Sequence, residues 1–99
     1  MKLVITDYAI AHLVESVELT GKHMSLERRD ALIEKVIRGT DRLLDFPKAG
    51  QVETLMDSRP FEYRRLVVGN FKIIYRIDGE MIYVTDIFDA RQDPQRMRG

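Results

Sequence analysis

From Phe61 to Thr85 the chain alternates in polarity, is rich in Val, Ile, Tyr and Phe, and carries two turn signals, Gly69-Asn70 and Asp78-Gly79. Each dipeptide suits a two-residue connection between antiparallel strands, the first with glycine leading, the second as an Asp-Gly hairpin turn. Two-residue turns set a register in which Val68 opposes Phe71, Leu66 opposes Ile73, Tyr75 opposes Ile82 and Ile73 opposes Val84. Directly opposed residues share a face. One face then carries Leu66, Val68, Phe71, Ile73, Tyr75, Ile82 and Val84, nearly all apolar, and is expected to lie on a covering layer. The other carries Tyr63, Arg65, Val67, Lys72, Ile74, Arg76, Met81, Tyr83 and Thr85, where cations mix with aromatic and aliphatic groups. A slip of one residue would exchange the faces, so the assignment depends on the turns.

The covering layer comes from the first half of the chain. Lys2 to Thr6 reads as a short strand, and Thr6 or Asp7 can cap a helix by accepting hydrogen bonds from its first amides. Ile10, Leu13, Val14 and Val17 recur at helical spacing until Thr20-Gly21, where glycine suits a left-handed cap. Ser25 caps a second helix running to about Asp45, with a stripe of Leu32, Ile33, Val36, Ile37, Thr40, Leu43 and Leu44. Pro47 stops it, because the residue before a proline is pushed out of helical space. Two amphipathic helices cannot cover both their own stripes, so they pack on the sheet. The expected architecture is α+β: an N-terminal strand, a two-helix antiparallel hairpin, then an antiparallel meander.

Ninety-nine residues make one domain, 1–99. Sixteen Lys and Arg balance sixteen Asp and Glu, so binding to a phosphate backbone would need a local basic patch and not a global field. Zero cysteines remove a disulfide framework and thiolate metal sites, which suits a reducing cytoplasm. His12 and His23 have no common metal-ligand spacing, and nothing orders Asp86, Asp89 and Asp93 into a cation loop. No cofactor, metal or membrane contact is expected.

The segment EYRRLVVGNFKIIYR, residues 62–76, resembles the signature strand pair of the RelE/ParE superfamily of bacterial toxins, through Arg64, Leu66, Val68-Gly69, Phe71, Lys72 and Ile73-Ile74-Tyr75. Pro47 and Gly50 in FPKAGQ are similar to the family's Pro-x-x-Gly connection, and DIFDARQDPQRM resembles its last strand and Arg-x-x-Pro segment. The resemblance implies the toxin of a type II toxin–antitoxin, plasmid-stabilisation type system, silenced by a cognate antitoxin and meeting operator DNA only through it. ParE-like relatives poison DNA gyrase; RelE-like relatives cut mRNA on the ribosome. A third alternative is a non-toxic module that binds the antitoxin as a co-repressor.

RNA cleavage without a metal needs positioned cations to neutralise the developing phosphorane charge. Matched to the RelE-like pattern, the catalytic groups would be Arg65, Lys72 and Arg91. Gln92 stands where many relatives have a second arginine, and Asp89, read here as solvated, near where others have a histidine. These departures and the balanced charge favour the ParE-like branch, with Tyr63, Arg65, Lys72, Arg76 and Tyr83 as a target-binding face. The plainer alternative for the same residues is that Arg65, Lys72 and Arg76 keep an exposed sheet face soluble and the tyrosines are simply good strand formers.

Overall fold

In the computed structural model, which describes residues 1–56 and 60–91, Gly69 and Gly79 take positive φ values of 58° and 57°. No non-glycine residue among those described does so. The three strands around them are β3 (Arg64–Val68), β4 (Phe71–Asp78) and β5 (Met81–Asp89). The first hairpin has the expected register, with Val68 opposite Phe71 and Leu66 opposite Ile73. The second turns on Gly79-Glu80, not Asp78-Gly79, so Asp78 opposes Met81 and Tyr75 opposes Val84 in place of Ile82. Glycine as the leading residue spares Asp78 the positive φ that an Asp-Gly turn would impose on it. The pairing slides by an even step, so the faces survive. Ile73, Tyr75, Ile82 and Val84 are all fully buried.

Two further strands extend the meander. β1 (Lys2–Ile5) runs parallel to β5, with Lys2 opposite Met81 and Ile5 opposite Val84. β2 (Gln51–Val52) lies antiparallel on β3. The sheet is therefore mixed, in the order β1-β5-β4-β3-β2.

Helices α1 (Asp7–Thr20) and α2 (Leu26–Gly39) supply the covering layer. Thr6 accepts the Ala9 amide at 3.1 Å and Ser25 the Arg28 amide at 3.2 Å, so both expected caps are made. Gly21 ends α1 with φ of −104°, outside the left-handed region. Ala9, Leu13 and Val17 from α1 and Val36 from α2 close over Leu66, Phe71, Ile73, Tyr75, Ile82, Val84 and Ile87. α2 stops at Gly39, short of Asp45: the Thr40 and Asp41 amides turn to the carbonyls three residues back, Ile37 and Arg38, at 3.0 Å each, and the Thr40 hydroxyl also donates to the Ile37 carbonyl at 2.6 Å. Gly39 also lies on β3 so closely that a Cβ there would sit 2.7 Å from Val68 Cγ2. A short helix α3 (Arg42–Asp45) follows and buries Leu43. The Tyr75 hydroxyl then ties the connection down: it donates to the Pro47 carbonyl at 2.7 Å and accepts the Gly50 amide at 2.9 Å. Burial pushes this phenol above the ordinary tyrosine range, which keeps its proton available for that bond.

The outer face is less open than alternation alone implies. Tyr75 opposes Val84 but Ile74 opposes Asp86, so Thr85 is the extra residue of a β-bulge. Beyond it the parity of β5 changes: Ile87 enters the main core, and Phe88 turns outward. There it meets Met56, Tyr63 and Ile74 in a second, small apolar cluster. Tyr63, expected on an accessible binding face, is 5% exposed; the turn Thr54–Met56 lies across this part of the sheet and covers it.

Candidate functional site

The outer face brings Arg65 and Lys72 together because β3 and β4 pair Arg65 with Ile74 and Val67 with Lys72. The diagonal places both cations beside the end of β2. Glu53, the residue following β2, is 2% exposed and holds them both: its Oε2 lies 3.2 Å from Lys72 Nζ and 3.6 Å from the Arg65 guanidinium. Arg65 also donates to the Val52 carbonyl at 2.9 Å and to Gln51 Oε1 at 2.8 Å. Glu53 is itself anchored, its amide donating to the Tyr63 carbonyl at 2.8 Å and its Oε1 accepting the Leu55 amide at 3.2 Å. Its Oε2 receives no aligned hydrogen bond, so charge attraction alone compensates that oxygen. A carboxylate this deep is tolerated because the cations stand beside it.

Arg76 lies further along the same face. Its guanidinium carbon is 4.2 Å from the centroid of Phe61 and 4.6 Å from that of Tyr83, and it reaches Asp78 at 3.3 Å. Each ring contact contributes about 0.5–1 kcal/mol at a site that water still reaches. Phe61 remains 46% exposed, so an apolar edge accompanies the cation.

Arg91 is not on this face. It folds back over Asp89 at the end of β5, donating through Nη2 at 2.6 Å and Nε at 2.9 Å, while its amide donates to the same carboxylate at 2.9 Å. Asp89 is therefore not solvated as its sequence context implies. The bulge turns it to the side of Phe71, where the guanidinium seals it from water. The Arg91 side-chain hydrogen bonds hold its carboxyl below the ordinary aspartate range, against a smaller opposing effect of burial. The Asp89–Arg91 pair lies on the wall of a cleft of about 320 Å³ between the β3–β4 turn and the α1–α2 connection, which Met24 and Phe71 also line.

Each cation singled out from the sequence is thus held by a carboxylate: Arg65 and Lys72 by Glu53, Arg76 by Asp78, Arg91 by Asp89. Gln92 lies outside the described residues. A phosphate approaching Arg65 and Lys72 would have to displace a built-in anion. The described residues contain no group of three or more His, Asp or Glu placed to hold a metal, and no helix long and apolar enough to cross a membrane.

The family model for the ParE toxin of the type II toxin–antitoxin system parDE matches residues 3–94. The chain belongs to the ParE toxin family. As such it is the toxin side of a toxin–antitoxin pair, with an antitoxin as its partner. Comparison with curated protein sequences finds no match. Among solved structures the fold is similar to a chain from a study titled "Chromosomal ParDE TA system from P. aeruginosa", with a TM-score of 0.72 and 19% identity. That similarity covers 90% of this chain and 95% of the other.

Two features of this ParE-family site have no local signal in the sequence. Glu53 precedes Arg65 across a turn and a connection, and only the sheet register brings them together. His12 is the other: its Nδ1 lies 2.6 Å from Asp86 Oδ1, and its ring stacks on Phe88 with centroids 5.4 Å apart. This buried pair fastens α1 to the bulged half of β5. It has no metal-ligand spacing, and a histidine next to a helix's apolar stripe gives no sign of a partner 74 positions away.

Proposed function

We propose that this ParE-family toxin acts by binding and inhibiting DNA gyrase as a protein ligand, and does not cut mRNA. One observation carries it: Arg65, Lys72 and Arg91, the groups a metal-free RNase of this fold would use, are all tied to buried carboxylates, the first two sharing Glu53 and the third on Asp89. Stabilising a phosphorane takes cations aimed at the reacting oxygens and free to meet them. Lys72 and Arg65 with Glu53 sum to a single positive charge, two minus one. Arg91 is 66% exposed at its side chain, but its donors are turned to Asp89. What the outer face does offer is an arginine flanked by an exposed phenylalanine ring and a half-buried tyrosine ring, and Arg and aromatic side chains are the residues that anchor protein interfaces.

The test sets two assays on the purified toxin side by side. A gyrase supercoiling assay is expected to show inhibition that the cognate antitoxin reverses. An A-site cleavage assay on programmed ribosomes is expected to show none. Robust mRNA cutting that falls at least about a hundredfold in Lys72→Ala or Arg91→Ala, the scale for removing one positioned charge stabiliser, would make the nuclease reading the right one.

A further inference from the structure

We infer that Glu53 is a built-in counter-anion that occupies an anion site formed by Arg65 and Lys72, and so determines that this face rejects phosphodiesters. The inference deepens the non-nuclease reading and rests on it. Its first support is the geometry: a carboxylate oxygen sits 3.2 Å from an ammonium and 3.6 Å from a guanidinium, where one oxygen of a bound phosphate would lie. The second is that Glu53 is not a loose lid. Its amide bonds to Tyr63, its Oε1 takes the Leu55 amide, and it is 2% exposed, so the carboxylate is fixed in place beside the cations. The third is the oxygen that faces the cations, buried without an aligned hydrogen bond. A group placed only for stability would satisfy that atom, and buried ion clusters are in general no more stabilising than well-packed apolar side chains. Charge cancellation is the effect this arrangement delivers most directly.

The cations themselves remain within reach of a ligand. Lys72 and Arg65 are 18% and 30% exposed at their side chains, so removing the carboxylate leaves two positive groups at the surface that water can still solvate. Neutralising Glu53 therefore converts the face into a polyanion-binding one without adding a cation.

The experiment measures binding of a fluorescent single-stranded RNA oligonucleotide to the full chain at several salt concentrations. Glu53→Gln preserves the acceptor for the Leu55 amide and removes only the charge; Glu53→Met is a second neutral variant of similar length. Glu34→Gln on α2, across the sheet and 64% exposed at its side chain, changes net charge equally and serves as the control. Either neutral Glu53 variant is expected to bind RNA roughly fivefold more tightly than wild type at low salt. The slope of log affinity against log salt should steepen by about 0.7, one more phosphate neutralised on a single strand. Lys72→Met added to Glu53→Gln should erase the gain, and Glu34→Gln should show none. The inference is overturned if folded Glu53 variants bind no better than wild type, or if Glu34→Gln gains as much. It is overturned equally if both neutral variants fail to fold, since the carboxylate is then a requirement of the fold. The gyrase assay of the wild type is a separate readout, so failure of that reading and failure of this one are distinguishable.

Discussion

The two faces of the sheet use the same strands for opposite purposes. The inner face packs Leu66, Phe71, Ile73, Tyr75, Ile82 and Val84 against two helices and leaves none of them more than 7% exposed. The outer face, built from the alternate residues, spreads Arg65, Val67, Lys72, Arg76 and Tyr83 between the small Met56–Tyr63–Ile74–Phe88 cluster and solvent. The inner face is a continuous apolar core, whereas the outer face sets ion pairs beside its smaller apolar cluster.

The sharpest way to break this comparison is to truncate matched positions on the two sides. Ile73→Ala, at a fully buried site, should cost about 2–5 kcal/mol in urea unfolding. Val67→Ala, 58% exposed, should stay within about 0.5 kcal/mol. Equal losses at the two positions would mean the outer face is as tightly packed as the inner one.

A smaller effect tests the polar tether of the inner face. Tyr75→Phe removes the hydroxyl that accepts the buried Gly50 amide and donates to Pro47, and should cost about 1–3 kcal/mol by the same measurement. A variant as stable as wild type would show that the connection between α3 and β2 is held by packing alone.

The smallest effect is one that acid removes. Asp89 titrates below its ordinary range in the fold because Arg91 bonds its charged form. A folded value below the unfolded one, about 3.9, makes its contribution fully present above that pH and lost as pH falls through the folded value. Wild type should thus melt above Asp89→Asn at neutral pH, with the difference closing below about pH 4. A difference that persisted unchanged into strong acid would show that the Asp89 charge is not what the Arg91 contact stabilises.

The face assignment tolerated an error in the second turn. Moving that turn from Asp78-Gly79 to Gly79-Glu80 shifts the pairing sum by two, and a period-2 pattern is blind to an even shift. The β-bulge at Thr85 is a different matter, because one extra residue reverses parity and decides that Ile87 is inner and Phe88 outer. Nothing in VTDIFD marks where it falls. The helix caps at Thr6 and Ser25 were legible because capping is settled within three residues. The end of α2 was not: the switch to bonds three residues back falls where Gly39 lies against Val68 on a distant strand, and that neighbour has no local signal.

By itself the sequence determined the α+β class, the two capped helices, the hairpins and the side of the sheet on which each of Arg65, Lys72, Ile73 and Tyr75 stands. All of these follow from interactions among near neighbours or from a repeating pattern. Only the tertiary structure decided that Glu53 lies between Lys72 and Arg65, that Arg91 covers Asp89, that His12 meets Asp86, and that β1 joins β5 in parallel. Mixed charges along a chain do not say which carboxylate meets which cation. That choice is made by backbone register and burial, where an unpaired charge costs several kcal/mol and so must find a partner.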